Sequence, residues 1–268
     1  MAKLAALVLW LLLFTHLPSA QECTQPDRMI YLGYYTENPS RNPEDPTAGM
    51  LLSCMPKGSG AFLTEFLFSY FGCLGGVNVG TVRGSRSGTS MSGQWRGTVD
   101  GASIGGGFEG ICTENLCRGV WSNSKGKQIV SVGTCRYYVS PDGKWFLFGM
   151  GQGFGGLNLN IDTGASPPSI SWQRVPGANH YFLYVFDRIC LQKTVSLSGC
   201  TLWHAYCSGD VGRTGYGALS GCRSIVPAAP LRRGGDYVIA VIATAHAIGG
   251  FLPGADVVAF EVRSFSLR

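Results

Sequence analysis

The chain has 268 residues, 45% of them hydrophobic and only 14% charged, with a formal net charge of +5. That balance excludes a highly charged disordered chain, and a surplus so mild does not suit nucleic acid, whose binders concentrate a basic face. Glycine supplies 39 residues, about twice the ordinary share, but without the three-residue period of collagen.

Residues 1–20 read as a secretory signal peptide: Lys3, an apolar stretch over 4–14, then small residues ending at Ser19 and Ala20. The stretch is shorter than the roughly 20 apolar residues a bilayer core requires, and no later segment is both that long and free of charge or glycine. No transmembrane span is therefore expected, and the destination is secreted, periplasmic or extracellular. Losing Lys3 with the leader brings the charge from +5 to +4.

All ten cysteines, Cys23, Cys54, Cys73, Cys112, Cys117, Cys135, Cys190, Cys200, Cys207 and Cys222, follow the leader, so disulfides are expected in an oxidising compartment. The closest pair, Cys112 and Cys117, has four residues between its members and no histidine cluster nearby, which disfavours zinc. Neither a metal nor a cofactor is expected.

The length after the leader suggests two domains: 21–163, Gly-rich and disulfide-containing, and 164–268, beyond the linker-like 162–168. Six cysteines precede residue 136 and four follow residue 189, so bridges can stay within each domain, with the pairing open. In the first domain 12 of the 36 residues 75–110 are glycine. Regular glycines disfavour helix and suit strands and tight turns. Asp100-Gly101 is a hairpin signal between the runs 97–99 and 102–104. An antiparallel meander is predicted, continuing through 119–121, 128–132 and 136–139, a turn at 141–143, and 144–148. The aromatic stretch 61–71 suits a helix or a buried strand.

In the second domain Ile170 and Trp172, then Tyr181, Leu183 and Val185, alternate about the turn Pro176-Gly177, and 237–243 and 257–262 read as two further strands. Trp172, Pro176-Gly177-Ala178 and Tyr181, with Leu231, Gly234 and Tyr237, resemble a fibronectin type III-like domain over about 165–268. The resemblance implies a β-sandwich in which Tyr237 fastens a corner. One departure is 190–222, which carries four cysteines and no clear alternation and reads as a disulfide-stapled insertion. The first strand is missing unless 157–161 supplies it. The fold class is all-β: a Gly-rich antiparallel meander followed by this sandwich.

No catalytic constellation emerges. Gly101-Ala102-Ser103-Ile104-Gly105 has the spacing of a nucleophile elbow, and Gly151-Gln152-Gly153-Phe154-Gly155-Gly156 that of a dinucleotide loop, but neither is followed by a helical pattern. Asp100, Glu109 and Glu114 are the carboxylates a secreted, glycosidase-like hydrolase would draw on. Trp95, Trp121 and Trp145 fall on three predicted strands, where burial competes with a platform for sugar rings; Arg96 lies beside them. Loops on rigid scaffolds carry recognition, which makes Trp203, His204 and Tyr206 of the insertion a second candidate. The favoured reading is a secreted or envelope-associated binding protein for an extracellular glycan or protein ligand. The alternative is the hydrolase.

Overall fold

The computed structural model describes residues 23–38, 48–69, 77–99, 101–132, 135–218, 221–248, 252–253 and 255–268. Residues 1–20, expected to be a signal peptide, Cys73 and Asp100 lie outside them, as does the side chain of Cys135.

The N-terminal part contains β1 (Arg28–Glu37), β2 (Ala48–Pro56), β3 (Gly60–Ser69), β4 (Val77–Ser87), β5 (Ser90–Val99), β6 (Ala102–Cys112), β7 (Leu116–Ser122), β8 (Gln128–Val132), β9 (Cys135–Val139) and β10 (Asp142–Gly149). The predicted meander is there, but it closes. β1 to β7 run antiparallel in sequence order, and β10 pairs with both β7 and β1 to complete an eight-stranded barrel. β8 and β9 form a separate hairpin between β7 and β10. Residues 61–69 are strand, and Asp142 and Gly143 belong to β10 rather than to a turn.

Closure is a packing problem, because an eight-stranded barrel has a lumen only just wide enough for side chains. The strands alternate, and many of their inward positions carry either a large side chain or a glycine, while the buried Ser53 and Thr64 hydrogen-bond to each other at 2.6 Å. Trp145 lies over Gly110 and Gly119, Trp121 over Gly143, Phe66 over Gly80, and Phe108 over Gly84 and Gly93. A Cβ at Gly119 would stand 2.7 Å from Cζ2 of Trp145 and closer still to the Glu109 carbonyl. Each interior indole also finds an acceptor. Nε1 of Trp95, Trp121 and Trp145 donates to the carbonyls of Ser122, Thr36 and Val120 at 2.9, 3.1 and 3.1 Å.

One end of the barrel is closed by the Cys112–Cys117 disulfide and by Tyr31, whose hydroxyl donates to the Glu114 carbonyl at 2.6 Å. The buried Arg86 guanidinium donates there to the carbonyls of Pro56 and Gly88. Outward positions of β4, β5 and β6 bear Arg83, Ser85, Ser92, Arg96 and Glu109, all exposed. Aromatic inside and polar outside is the reverse of the alternation in a membrane-spanning barrel. Among the described residues no helix is long and apolar enough to cross a membrane.

The C-terminal part contains β11 (Gly153–Phe154), β12 (Asn160–Asp162), β13 (Ser169–Ser171), β14 (His180–Asp187), α1 (Arg188–Thr194), α2 (Leu197–Cys200), β15 (Thr201–Ser208), β16 (Arg213–Gly215), β17 (Cys222–Val226), β18 (Asp236–Thr244), β19 (Ala247–Ile248), β20 (Leu252–Pro253) and β21 (Val257–Ser266). A six-stranded sheet, β11-β21-β18-β14-β15-β17, faces a three-stranded one, β12-β13-β16. A core around Trp172, Trp203 and Tyr237 fills the space between them. The first strand of the three-stranded sheet comes from Asn160–Asp162. The stretch 190–222, expected to be an insertion without alternation, contributes the full strand β15. Its alternation is hidden because both faces of that strand are covered. Cys190–Cys200 ties α1 to α2, and Cys207–Cys222 links β15 to β17.

A second apolar layer joins the barrel to this sheet. Ile30, Leu32 and Tyr34 of β1, Met50 and Leu52 of β2, and Phe148 of β10 point out of the barrel onto Phe182, Tyr184, Val238 and Phe260. The Cys23–Cys54 disulfide lies in that layer. Glu65, on the outer face of β3, accepts the backbone N–H of Leu197 at the start of α2.

Space separates the two kinds of glycine. Gly119→Ala forces a methyl group into backbone and indole, and is expected to cost about 1–3 kcal/mol in denaturant unfolding. Gly107→Ala meets nothing nearer than Ser122 Oγ at 3.7 Å and should stay within about 0.5 kcal/mol of the parent. Equal effects would contradict ring-over-glycine packing.

Candidate functional site

With the aromatic rings packed inside the barrel, the clefts described among its residues lie on the outer wall. Two clefts, of about 910 and 800 Å³, share Arg118, Val120, Lys144 and Phe146 and so form one groove. At one end the groove runs into the angle between barrel and sheet, where Tyr34 stacks on Phe146 at 5.1 Å and Phe148 stacks on Phe154 at 5.9 Å. Phe154 is 37% exposed. The glycines of the former dinucleotide pattern hold it there. A Cβ at Gly153 would stand 2.4 Å from the Phe260 carbonyl, and Gly155 takes φ +82° against β21, so the loop lies flat and turns its one ring into the cleft.

Strand register sets the rest of the groove. One row runs Tyr34, Phe146, Arg118, Ile111, Ser90 and Ser87 across β1, β10, β7, β6, β5 and β4; the next runs Thr36, Lys144, Val120, Glu109, Ser92 and Ser85. Ile111 and Val120 are 51% and 48% exposed, large for aliphatic side chains on a strand. Arg118 and Lys144 are exposed, and among the described residues no carboxylate lies within ion-pairing distance of either. Asp142, at the groove's end, accepts a hydrogen bond from the Asn38 amide. Burial lifts the Tyr34 phenol far above its ordinary 10, so that ring stays neutral.

The residues singled out in the sequence are dispersed. Trp95, Trp121 and Trp145 point inward and are 7, 9 and 5% exposed, so they form no outer row; only Trp121 reaches the groove, at its edge. Arg96 is outward on β5, opposite Thr81 and Gly105 and away from the groove lining. Trp203, His204 and Tyr206 sit on β15 rather than on a loop. Trp203 is fully buried inside the sandwich against Tyr216, and the other two face the barrel side of the sheet. Tyr206 shares a 2.8 Å hydrogen bond with His180. Of the hydrolase carboxylates, Glu109 lines the groove while Glu114 sits in the turn at the barrel's end. The elbow-like Ser103 lies within β6, a strand followed by no helix.

Sequence reasoning missed Tyr34, Phe146, Phe148, Phe154, Arg118 and Lys144. A signal was present in β10, where Trp145 and Leu147 alternate with Phe146 and Phe148, giving a strand apolar on both faces. Such a strand needs cover on both sides. No protein-family model matches the chain, and no curated protein and no solved structure is significantly similar to it.

His204 carries a pH signature. Its ring stacks on Tyr184 at 4.0 Å, its Nε2 is buried without a hydrogen-bond partner, and burial pushes its pKa down to about 3 from 6.5. The folded chain therefore keeps it neutral, while the unfolded chain takes up a proton below 6.5. Stability against His204→Phe is expected to be constant above pH 6.5. It should then fall by up to about 1.4 kcal/mol per unit as pH drops toward 3. A pH-independent difference between the two proteins in urea unfolding would contradict this.

Proposed function

We propose that this is an exported glycan-binding protein whose ligand lies in the outer groove. The observation that carries the reading is the exposed ring of Phe154, backed by Phe148 and continued by Phe146, beside Ile111 and Val120 and ahead of a serine-lined stretch. Sugar rings have apolar faces that stack on aromatic rings and hydroxyls that hydrogen-bond to short polar side chains. The groove supplies both kinds of surface in one line. Export is supported by the leader-like N-terminus and by the four disulfides among the described residues, which persist in oxidising compartments.

The C-terminal sandwich is read as fibronectin type III-like, a scaffold that braces the groove. The Tyr237 hydroxyl supports that reading: it accepts the Arg232 N–H at 2.6 Å and donates to the Arg232 carbonyl at 3.1 Å, fastening a corner. Trp172 packed against Tyr181, at 5.3 Å, supports it as well.

Binding of the oxidised protein to an array of polysaccharides tests the function. A specific signal is expected, weakened several-fold by Phe154→Ala through loss of about 1 kcal/mol of stacking. It should survive Trp95→Phe, a change inside the barrel. A blank array from folded protein would overturn the reading.

A further inference from the structure

We infer that the groove is built for an acidic polysaccharide, whose carboxylate or sulfate groups meet Arg118 and Lys144. This inference rests on the glycan-binding reading and specifies its ligand class. Lys144 pairs with Val120 and Arg118 with Phe146, so the two cations occupy opposite corners of a small square on adjacent strands. Their backbones stand roughly 7–8 Å apart. The other two corners are the exposed Val120 and the ring of Phe146. Cations alternating with apolar surface match a sugar ring that carries an apolar face and an acid group together. A neutral glycan would leave the cations idle, and a purely electrostatic ligand would leave the apolar corners idle.

Both cations belong to the waist common to the two clefts, where a chain lying along the groove must pass. The described ion pairs join Arg174 to Asp210, His246 to Asp256 and Arg263 to Glu261, and none of them neutralises the waist. Glu37 and Asp142, the latter two residues before Lys144 on β10, also line the groove, and Glu109 lies directly across from Val120. Glu109 sits where it opposes an acidic ligand and spaces the acid groups toward the cations. Beyond it Ser85, Ser87, Ser90 and Ser92 offer hydroxyls without charge. That suits the sugar hydroxyls of a polymer better than the continuous phosphates of a nucleic acid, which call for a longer basic track.

The test compares polymers that differ only in charge: polygalacturonate against its methyl ester, and sulfated dextran against dextran. Titrations at low and high salt use the oxidised protein. At least one acidic member is expected to bind about tenfold more tightly than its neutral counterpart. The gap should shrink as salt screens it. Which acidic polymer shows the larger gap distinguishes carboxylate from sulfate, and either supports the inference. Replacing both cations, by Arg118→Gln and Lys144→Gln, should abolish the gap, and Glu109→Gln should widen it; near-UV circular dichroism checks that these exposed changes leave the fold intact. Equal binding of charged and neutral members, or a gap that survives the double replacement, would overturn the acidic specificity and leave glycan binding standing. Tighter binding to duplex DNA than to any polysaccharide would overturn it too. A folded protein that binds no polymer would remove the glycan reading itself.

Discussion

The lumen of an eight-stranded barrel is narrow, and this one is filled with tryptophan and phenylalanine. The arrangement depends on glycine in the wall beneath Phe66, Phe108, Trp121 and Trp145. Trp145 occupies the space that side chains at Gly110 and Gly119 would take, and Phe108 that of Gly84 and Gly93. Large and small positions are thus matched across neighbouring strands, and the rings pack edge to face, as Trp95 does with both Phe66 and Trp121. Closure, the absence of a free edge and the solidity of the interior all depend on that match.

A filled lumen moves both remaining tasks to the outside. Over β1, β2 and β10 the outer wall is apolar and buries against the six-stranded sheet, with Phe260 in contact with Tyr34 and Phe148 at 5.5 and 5.0 Å. Farther round, the same wall turns polar and leaves the sheet. The groove is the wedge between these two regimes, which is why aromatic side chains from the shared layer run out into a rim of arginine, lysine and serine. The binding proposed on this outer wall would need no change in the core.

Much of the fold was legible because glycine and alternation are local signals. The meander, the Gly101 turn and the strands carrying Ile170 and Tyr237 follow from residue order alone. Barrel closure was not legible, since pairing of β1 with β10 joins residues over a hundred positions apart, such as Tyr34 and Phe146. β15 was hidden by cover on both faces. The groove was illegible for a related reason: Arg118, Phe146 and Phe154 come together only after β7, β10 and the loop against β21 are in register. The tryptophans drew attention as candidate sugar platforms, yet a large ring beside a glycine-rich strand marks an interior here. The glycines of 151–156 resembled a phosphate loop and instead hold a flat turn under one exposed phenylalanine.

Xenon enters dry apolar cavities and reports them directly. Crystals of the protein pressurised with xenon should therefore show no bound atom among Phe66, Trp95, Phe108, Trp121 and Trp145, because ring and glycine fill that space between them. A well-occupied xenon site inside the barrel would contradict the packed lumen and reopen it as the place where a ligand is held.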